Sequence, residues 1–166
     1  MKANIVSVGN SKGIRIPKAM LNLNMENYKL SPGKKAKKTG QDAKKWTKWL
    51  ITHSSKGRKK WQFVSFEGPK GGESRGIVDF IAIRRDHKYR KNPLKIGDLF
   101  EIILIQVKGG SAPIPSNDDI LRLSKVGKYY HAKHIIFGDW KEGKVPTLYF
   151  LVNSSWEEIK PKDAFK

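Results

Sequence analysis

Apolar residues concentrate in two short runs near the middle of the chain, at positions 77–83 and 100–107. Both runs are rich in β-branched and aromatic residues and are bounded by charged or glycine-rich segments, which predicts two strands. Polar residues interrupt them: Asp79 lies inside the first, and Gln106 and Lys108 close the second. Because side chains alternate along a strand, Gln106 and Lys108 share a face, and pairing of the strands brings Asp79 beside them.

Apolar periodicity elsewhere predicts the remaining elements of one α/β domain. A helix begins at Gln41, and a second helix, with Ser116 as its N-cap, runs to Tyr130. Further strand-like runs occupy positions 61–66, 135–137 and 147–152. The order helix, three strands, helix, two strands predicts an α/β sandwich.

The first predicted helix carries an apolar stripe opposite its lysines. The stripe consists of Ala43, Trp46, Trp49 and Leu50, which recur at spacings of three and four residues. Two tryptophans on one stripe favour packing in the core over stacking on bases. Asp42, at the exposed start of this helix, suits the helix dipole.

Charge changes this picture most. The 166 residues include 34 Lys and Arg against 15 Asp and Glu, a formal net charge of +19. Such a chain is expected to attract polyanions, nucleic acid first and an anionic membrane surface second. Without cysteine, it has no disulfide, thiolate or cysteine-based zinc chemistry. With no signal-peptide pattern and no apolar stretch long enough to span a bilayer, we expect a soluble, cytoplasmic protein with no membrane partner.

The polar residues of the two central strands suggest a metal site. A carboxylate, an amide oxygen and an ammonium at one edge of an apolar sheet suit Mg²⁺, which takes few protein oxygens and keeps waters or phosphate oxygens. The lysine would orient water or stabilise charge that develops on phosphorus. Taken singly, Lys108 could extend to solvent from a strand end and Asp79 could cap a turn.

An aspartate in one strand followed by Gln-x-Lys in the next resembles the core of the PD-(D/E)XK nucleases, and G-x-x-D with Q-x-K is similar to their Mrr-like branch. The resemblance covers roughly residues 41 to 153. It implies a restriction-endonuclease-like sandwich, with a mixed central sheet flanked by helices, that hydrolyses phosphodiester bonds with Mg²⁺ or Mn²⁺. In that family Asp79 would bind the metal, Gln106 would take the usual acidic position and Lys108 would be the catalytic lysine.

Glutamine at position 106 removes one negative charge from this site. Weaker metal affinity, or an additional carboxylate, is then expected. Glu73 and Glu67 are the candidates, with Glu73 ahead because it lies nearer to Asp79 in the chain.

The first 25 residues form a separate arm in the sequence pattern. Two short strands flank a Gly-Asn-Ser-Lys-Gly turn, and positions 9–17 resemble the first half of an AbrB/MazE-type swapped-hairpin domain. The resemblance implies an intertwined homodimer with Arg15 on the DNA-facing side. A small arm packed on the core is the alternative. Residues 26–40 are predicted as a basic linker, 41–155 as the nuclease-like domain and 156–166 as a tail.

Two loops carry the predicted phosphate contacts. The glycine-rich loop before Asp79 and the basic loop over positions 84–98 could hold a nucleic acid backbone, or form ordinary hairpin loops. The predicted contact residues outside the arm are Lys70, Arg75, Arg84, Arg85, Lys88 and Arg90.

These patterns favour a metal-dependent endonuclease-like protein acting on nucleic acid, most simply double-stranded DNA. A DNA-binding regulator, with an antitoxin-like arm on a nuclease fold that has lost catalysis, is the alternative. An RNA-binding structural protein is a third interpretation, because neither the charge nor the metal site distinguishes the sugar.

Overall fold

The computed structural model describes residues 4–8, 11–15, 30–55, 60–66, 76–88 and 93–165. The chain divides into two units, Met1–Ala36 and Lys37–Lys166. In the first unit, β1 (Asn4–Val8) and β2 (Ser11–Arg15) pair antiparallel, with Val8 opposite Ser11. The hairpin expected from the sequence is therefore present.

A single mixed sheet organises the second unit. Its strands are β3 (Gln62–Ser65), β4 (Phe80–Arg85), β5 (Phe100–Gly109), β6 (His134–Trp140), β7 (Thr147–Val152) and β8 (Ser155–Ile159), in that spatial order. Only β5 and β6 are parallel, and the helix that connects them supplies the crossover this direction requires. The helices are α1 (Pro32–Ser54), α2 (Asn117–Tyr129) and α3 (Pro161–Ala164). The predicted α/β class is confirmed.

The two long helices cover opposite faces of the sheet. Alternate residues of β5, among them Ile105 and Val107, share one buried cluster with Ala43 and Ile51 of α1. The intervening residue Leu104 lies on the other face, within reach of α2 at Gly127. None of the helices in the described ranges is both long and apolar enough to cross a membrane.

Helix α1 begins at Pro32, well before the predicted start at Gln41. Most of the segment predicted as a linker, residues 26–40, is therefore helical from Pro32 onward. Proline suits the first helical position, and the alanine and lysines that follow are good helix formers. A cluster of lysines indicated a linker by composition, yet it is compatible with a solvated helical turn.

The face of α1 that contacts the sheet differs from the predicted stripe. Ala43, Thr47 and Ile51 are buried, whereas Trp46 and Trp49 are 42% and 43% exposed. The cause is the close approach of helix and sheet. A Cβ at Gly109 would lie 2.9 Å from the Ala43 Cβ, and one at Gly138 would lie 3.2 Å from Thr47. Only small residues fit there, so the tryptophans are turned away from the core.

Helix α2 follows the prediction closely. Ser116 Oγ accepts a hydrogen bond from the Asp119 amide at 3.2 Å, and Asp119 Oδ2 accepts one from the Ser116 amide at 3.1 Å. This reciprocal capping box explains the acidic first turn without catalysis. Ile120 and Leu123 are buried, whereas Tyr130, which follows the last residue of the helix, is exposed.

The segment predicted as a tail, residues 156–166, contributes to the sheet and the core. It contains most of β8 and all of α3. Phe165 is buried against Trp61, with ring centroids 5.8 Å apart, and its carbonyl accepts a hydrogen bond from Trp61 Nε1 at 3.4 Å. The globular domain therefore extends beyond residue 155.

Replacing Gly109 with alanine is expected to lower the free energy of unfolding by about 1–3 kcal/mol, because the added methyl group would overlap with α1. Gly33→Ala is the matched control, since a Cβ there meets no atom within 4 Å. Urea denaturation of both variants measures the difference. A Gly109 variant as stable as the wild type would show that α1 and β5 lie farther apart.

Candidate active site at the end of strand β5

Asp79 is held by the backbone of β5 immediately before β4 begins. Its amide donates to the Ile105 carbonyl at 3.0 Å, and its Oδ2 accepts from the Val107 amide at 2.7 Å. These two bonds bracket Gln106 on the neighbouring strand. The structure thus places Asp79 beside Gln106 along the chain of β5, as strand pairing predicted.

The second oxygen of Asp79 is paired with a lysine that the sequence did not single out. Lys44 Nζ lies 3.0 Å from Asp79 Oδ1, and Lys44 as a whole is 8% exposed. The sequence placed Lys44 on the solvated side of its helix, opposite the tryptophans. The spacing of Lys44, Thr47 and Ile51 along the helix is the pattern that could have identified its buried position.

Gln106 is 5% exposed, and its Oε1 has no hydrogen-bond partner among the residues that the structure describes. It lies on the face opposite Ile105 and Val107, and its Cα partner on β6 is Phe137. A buried amide oxygen without a donor costs about 1–3 kcal/mol. This oxygen is therefore a favourable acceptor for a cation or a donor group.

Lys108 follows Gln106 on the same face of β5 and is half-buried. Its Cα partner on β6 is Asp139, whose carboxylate is paired with Lys141 at 3.2 Å. Within the described ranges, the side chain of Lys108 makes no hydrogen bond or ion pair. No such bond joins the side chains of Asp79, Gln106 and Lys108 to one another there either.

The structure does not complete a ligand set for a metal. In the part of the chain that it describes, no three His, Asp or Glu side chains are grouped to hold an ion. Glu67 and Glu73, the predicted additional ligands, lie outside the described residues. Asp79 and Gln106 therefore offer the two oxygen-bearing side chains of the predicted site.

A second polar site lies at the opposite end of β4. A cavity of about 360 Å³ is lined by Lys60, Gln62, Ile83, Arg84, Arg85, His87 and Phe100. The lining contains several basic side chains and no carboxylate, which suits an anion. Of the predicted nucleic acid contacts, Arg84 and Arg85 meet in this cavity.

The other predicted contacts do not join them. Lys88 is exposed, and its amide donates to Asp86 Oδ1 at 2.9 Å. Arg15 is the last residue of β2, with Asn4 as its Cα partner. Lys70, Arg75 and Arg90 lie outside the described residues.

Glu101 fixes the position of Arg84, one of the residues that line the basic cavity. Arg84 Nε donates to its Oε2 at 2.6 Å, and Lys133 Nζ donates to its Oε1 at 3.0 Å. Burial opposes ionisation of Glu101, but the hydrogen bonds from Lys133 and Arg84 outweigh it, and the pKa of Glu101 is lowered from its usual value of 4.5. The guanidinium of Arg84 also lies 4.2 Å from the centre of the Trp61 ring. Arg84 is thus a fixed part of the wall.

Lys44→Met is expected to lower the free energy of unfolding by about 2 kcal/mol, because it leaves the Asp79 carboxylate without its cation. The neighbouring Lys45 is exposed, so Lys45→Met is a matched control with an expected change below about 0.5 kcal/mol. Chemical denaturation of Lys44→Met, Asp79→Asn and the double variant Lys44→Met/Asp79→Asn measures the coupling between the two residues. Additive effects of the two substitutions would contradict the ion pair.

Stability is expected to fall as the pH is lowered from about 7.5 to 5.5 because of His134. Burial of the imidazole, aided by nearby Lys133, lowers the pKa of His134 from its usual 6.5. The unfolded chain therefore binds the proton first, and stability is highest above pH 6.5 and is lost as the pH falls through the folded-state pKa. Urea denaturation across this range measures the loss. His134→Gln should flatten the profile, and an unchanged slope would contradict this assignment.

No family model matches the chain, and neither a curated protein nor a solved structure matches it. Conclusions about its function therefore depend on the chemistry of the molecule's own residues.

Proposed function

We propose that the protein is a metal-dependent phosphodiesterase that cleaves DNA at the end of β5. The buried, unpartnered Oε1 of Gln106 carries this proposal, because Asp79 is bonded to Ile105 and Val107, the residues on either side of Gln106 in β5. A buried amide that serves only packing is expected to find a donor. An apolar residue would fill the same space at lower cost.

The available donors fit a hard divalent cation. Asp79 and Gln106 would hold Mg²⁺ or Mn²⁺ through oxygens, which such ions prefer, and Glu73 or Glu67 would supply a further carboxylate. When bound, the ion would polarise a phosphoryl oxygen and lower the pKa of a bound water. Asp79 Oδ2 would keep its hydrogen bond from the Val107 amide. Asp79 Oδ1, which now pairs with Lys44, would bind the ion in place of that lysine.

Two lysines would stabilise the negative charge that develops during the reaction. Lys108, half-buried on the face of Gln106, would stabilise negative charge developing on the phosphoryl oxygens or orient the attacking water. Lys44 would release Asp79 on metal binding and would remain nearby as a second cation.

The topology and the charge support the same proposal. Helix α1, three antiparallel strands, helix α2 and a parallel strand occur in the order expected of a restriction-endonuclease-like core. The net charge of +19 favours a nucleic acid as the substrate, and the basic cavity beside Arg85 offers a phosphate position away from the reacting centre. The arm with Arg15 would add contacts in a homodimer.

A DNA-binding regulator without catalysis is the second candidate. The ion pair between Lys44 and Asp79 favours it, because a buried ammonium neutralises the carboxylate without any metal. In such a protein the strand end would serve stability alone.

Purified protein is expected to nick plasmid DNA with Mg²⁺ or Mn²⁺ and not with EDTA. Asp79→Asn and Lys108→Met should reduce the rate by at least about a hundredfold, because each removes a group that acts on the phosphate. Asp118→Asn, a carboxylate in the exposed first turn of α2, is the matched control and should nick normally. Gln106→Glu should lower the metal concentration that half-saturates the rate.

Two results together would favour the regulator instead: absence of nicking by the wild type, and duplex binding that Asp79→Asn leaves unaltered or tightens. Unchanged nicking in Asp79→Asn would contradict the proposed site, because the cleavage would then not depend on Asp79. Gel-shift titration of the same variants in EDTA measures the binding.

A further inference from the structure

Helix α1 displays an aromatic ladder, which we define as Trp46, Trp49 and His53. Trp46 and Trp49 meet edge to face, with ring centroids 5.7 Å apart, and Trp49 stacks on His53 at 4.3 Å. A hydrogen bond of 2.9 Å between His53 Nδ1 and the Trp49 carbonyl fixes the imidazole in this stack. Both indoles are close to half exposed.

The ladder is preordered, and its exposure is not explained by packing. Side chains spaced three and four residues apart lie on one face of a helix, so the three rings form a continuous surface about 10 Å long. Isolated exposed apolar residues are ordinary, whereas a contiguous exposed patch of rings beside basic side chains suits a planar anionic ligand. A surface of this length accommodates about three stacked bases.

The charge of the same helix indicates the occupant. Helix α1 carries seven lysines and a single carboxylate, Asp42. Lys38 and Lys45 are exposed and lie two turns apart on one side of the helix, and both precede Trp46, the first ring of the ladder. A second copy of this chain would bring the same positive charge to the surface, whereas a polyanion with planar groups complements both features.

We infer that the aromatic ladder of α1 is a stacking platform for unpaired bases of single-stranded nucleic acid, with Lys38 and Lys45 neutralising its phosphates. A duplex keeps its bases stacked internally and does not present them to the rings. The ladder therefore selects unwound or single-stranded segments. This inference shares nucleic acid as the ligand with the proposed function, but it requires no cleavage.

The test is binding of a labelled oligothymidylate of about twelve nucleotides, followed by fluorescence anisotropy in EDTA, where no cleavage occurs. Trp49→Ala is expected to weaken binding about fivefold or more, while Trp49→Phe, which keeps a ring, stays within about twofold of the wild type. Tyr129→Ala removes another exposed ring, on α2, and is the matched control. Trp46→Ala is a second variant, and thermal unfolding confirms that each is folded.

Two further probes separate stacking from charge. An abasic strand of the same length should bind the wild type and Trp49→Ala equally, because it offers phosphates without bases. A duplex of the same length should be unaffected by Trp49→Ala. The inference would be overturned if oligothymidylate did not bind, or if the wild type and Trp49→Ala bound it equally. It would also be overturned if Trp49→Ala lost as much affinity for the abasic strand as for oligothymidylate, or if the variant changed only the oligomeric state. Since all arms omit divalent ions, failure of plasmid nicking leaves this result intact.

Discussion

The close approach of α1 to the sheet is the constraint on which the rest of the domain depends. Gly109 and Gly138 leave room only for Ala43 and Thr47, so the helix meets the strands through small residues. This contact sets the rotation of α1 about its axis. It brings Lys44 to Asp79 near the end of β5 and turns Trp46 and Trp49 outward. A packing requirement in the core thus determines both the partner of Asp79 and the aromatic surface.

In the structure the carboxylate of Asp79 is neutralised by Lys44, and in the proposed enzyme a divalent ion would neutralise it instead. The backbone amide of Val107 holds one oxygen, and Lys44 holds the other. A divalent ion bound through Asp79 and Gln106 would compete with Lys44 for the same carboxylate. Under the proposal, this balance between lysine and metal would separate a nuclease from a protein that only binds DNA. The unpartnered oxygen of Gln106 would contribute affinity only to the metal-bound form.

The basic cavity at β4 and the lysines of α1 differ in how firmly their side chains are held. Around the cavity at β4, Arg84 is held by the buried Glu101 and lies over Trp61, so its position is set before any ligand arrives. Along α1, Lys38 and Lys45 are exposed, while the three rings contact one another. Under the two proposals, the cavity would hold a phosphate and the rings would hold bases of one nucleic acid strand.

By itself, the sequence determined every strand of the main sheet except β8, α2 with its N-cap, and the pairing that brings the backbone of Asp79 beside Gln106, because alternation, capping and strand pairing are local or nearly local rules. It did not determine which face of α1 is buried, since tryptophan and alanine both satisfy an apolar stripe and only the distance to Gly109 excludes the larger ring. For the same reason it missed Lys44, whose burial depends on a carboxylate far along the chain. Composition also suggested a linker and a tail where the structure has a helix and the buried Phe165. In each case a residue's place depended on what lies across the core, and only the tertiary structure decides that.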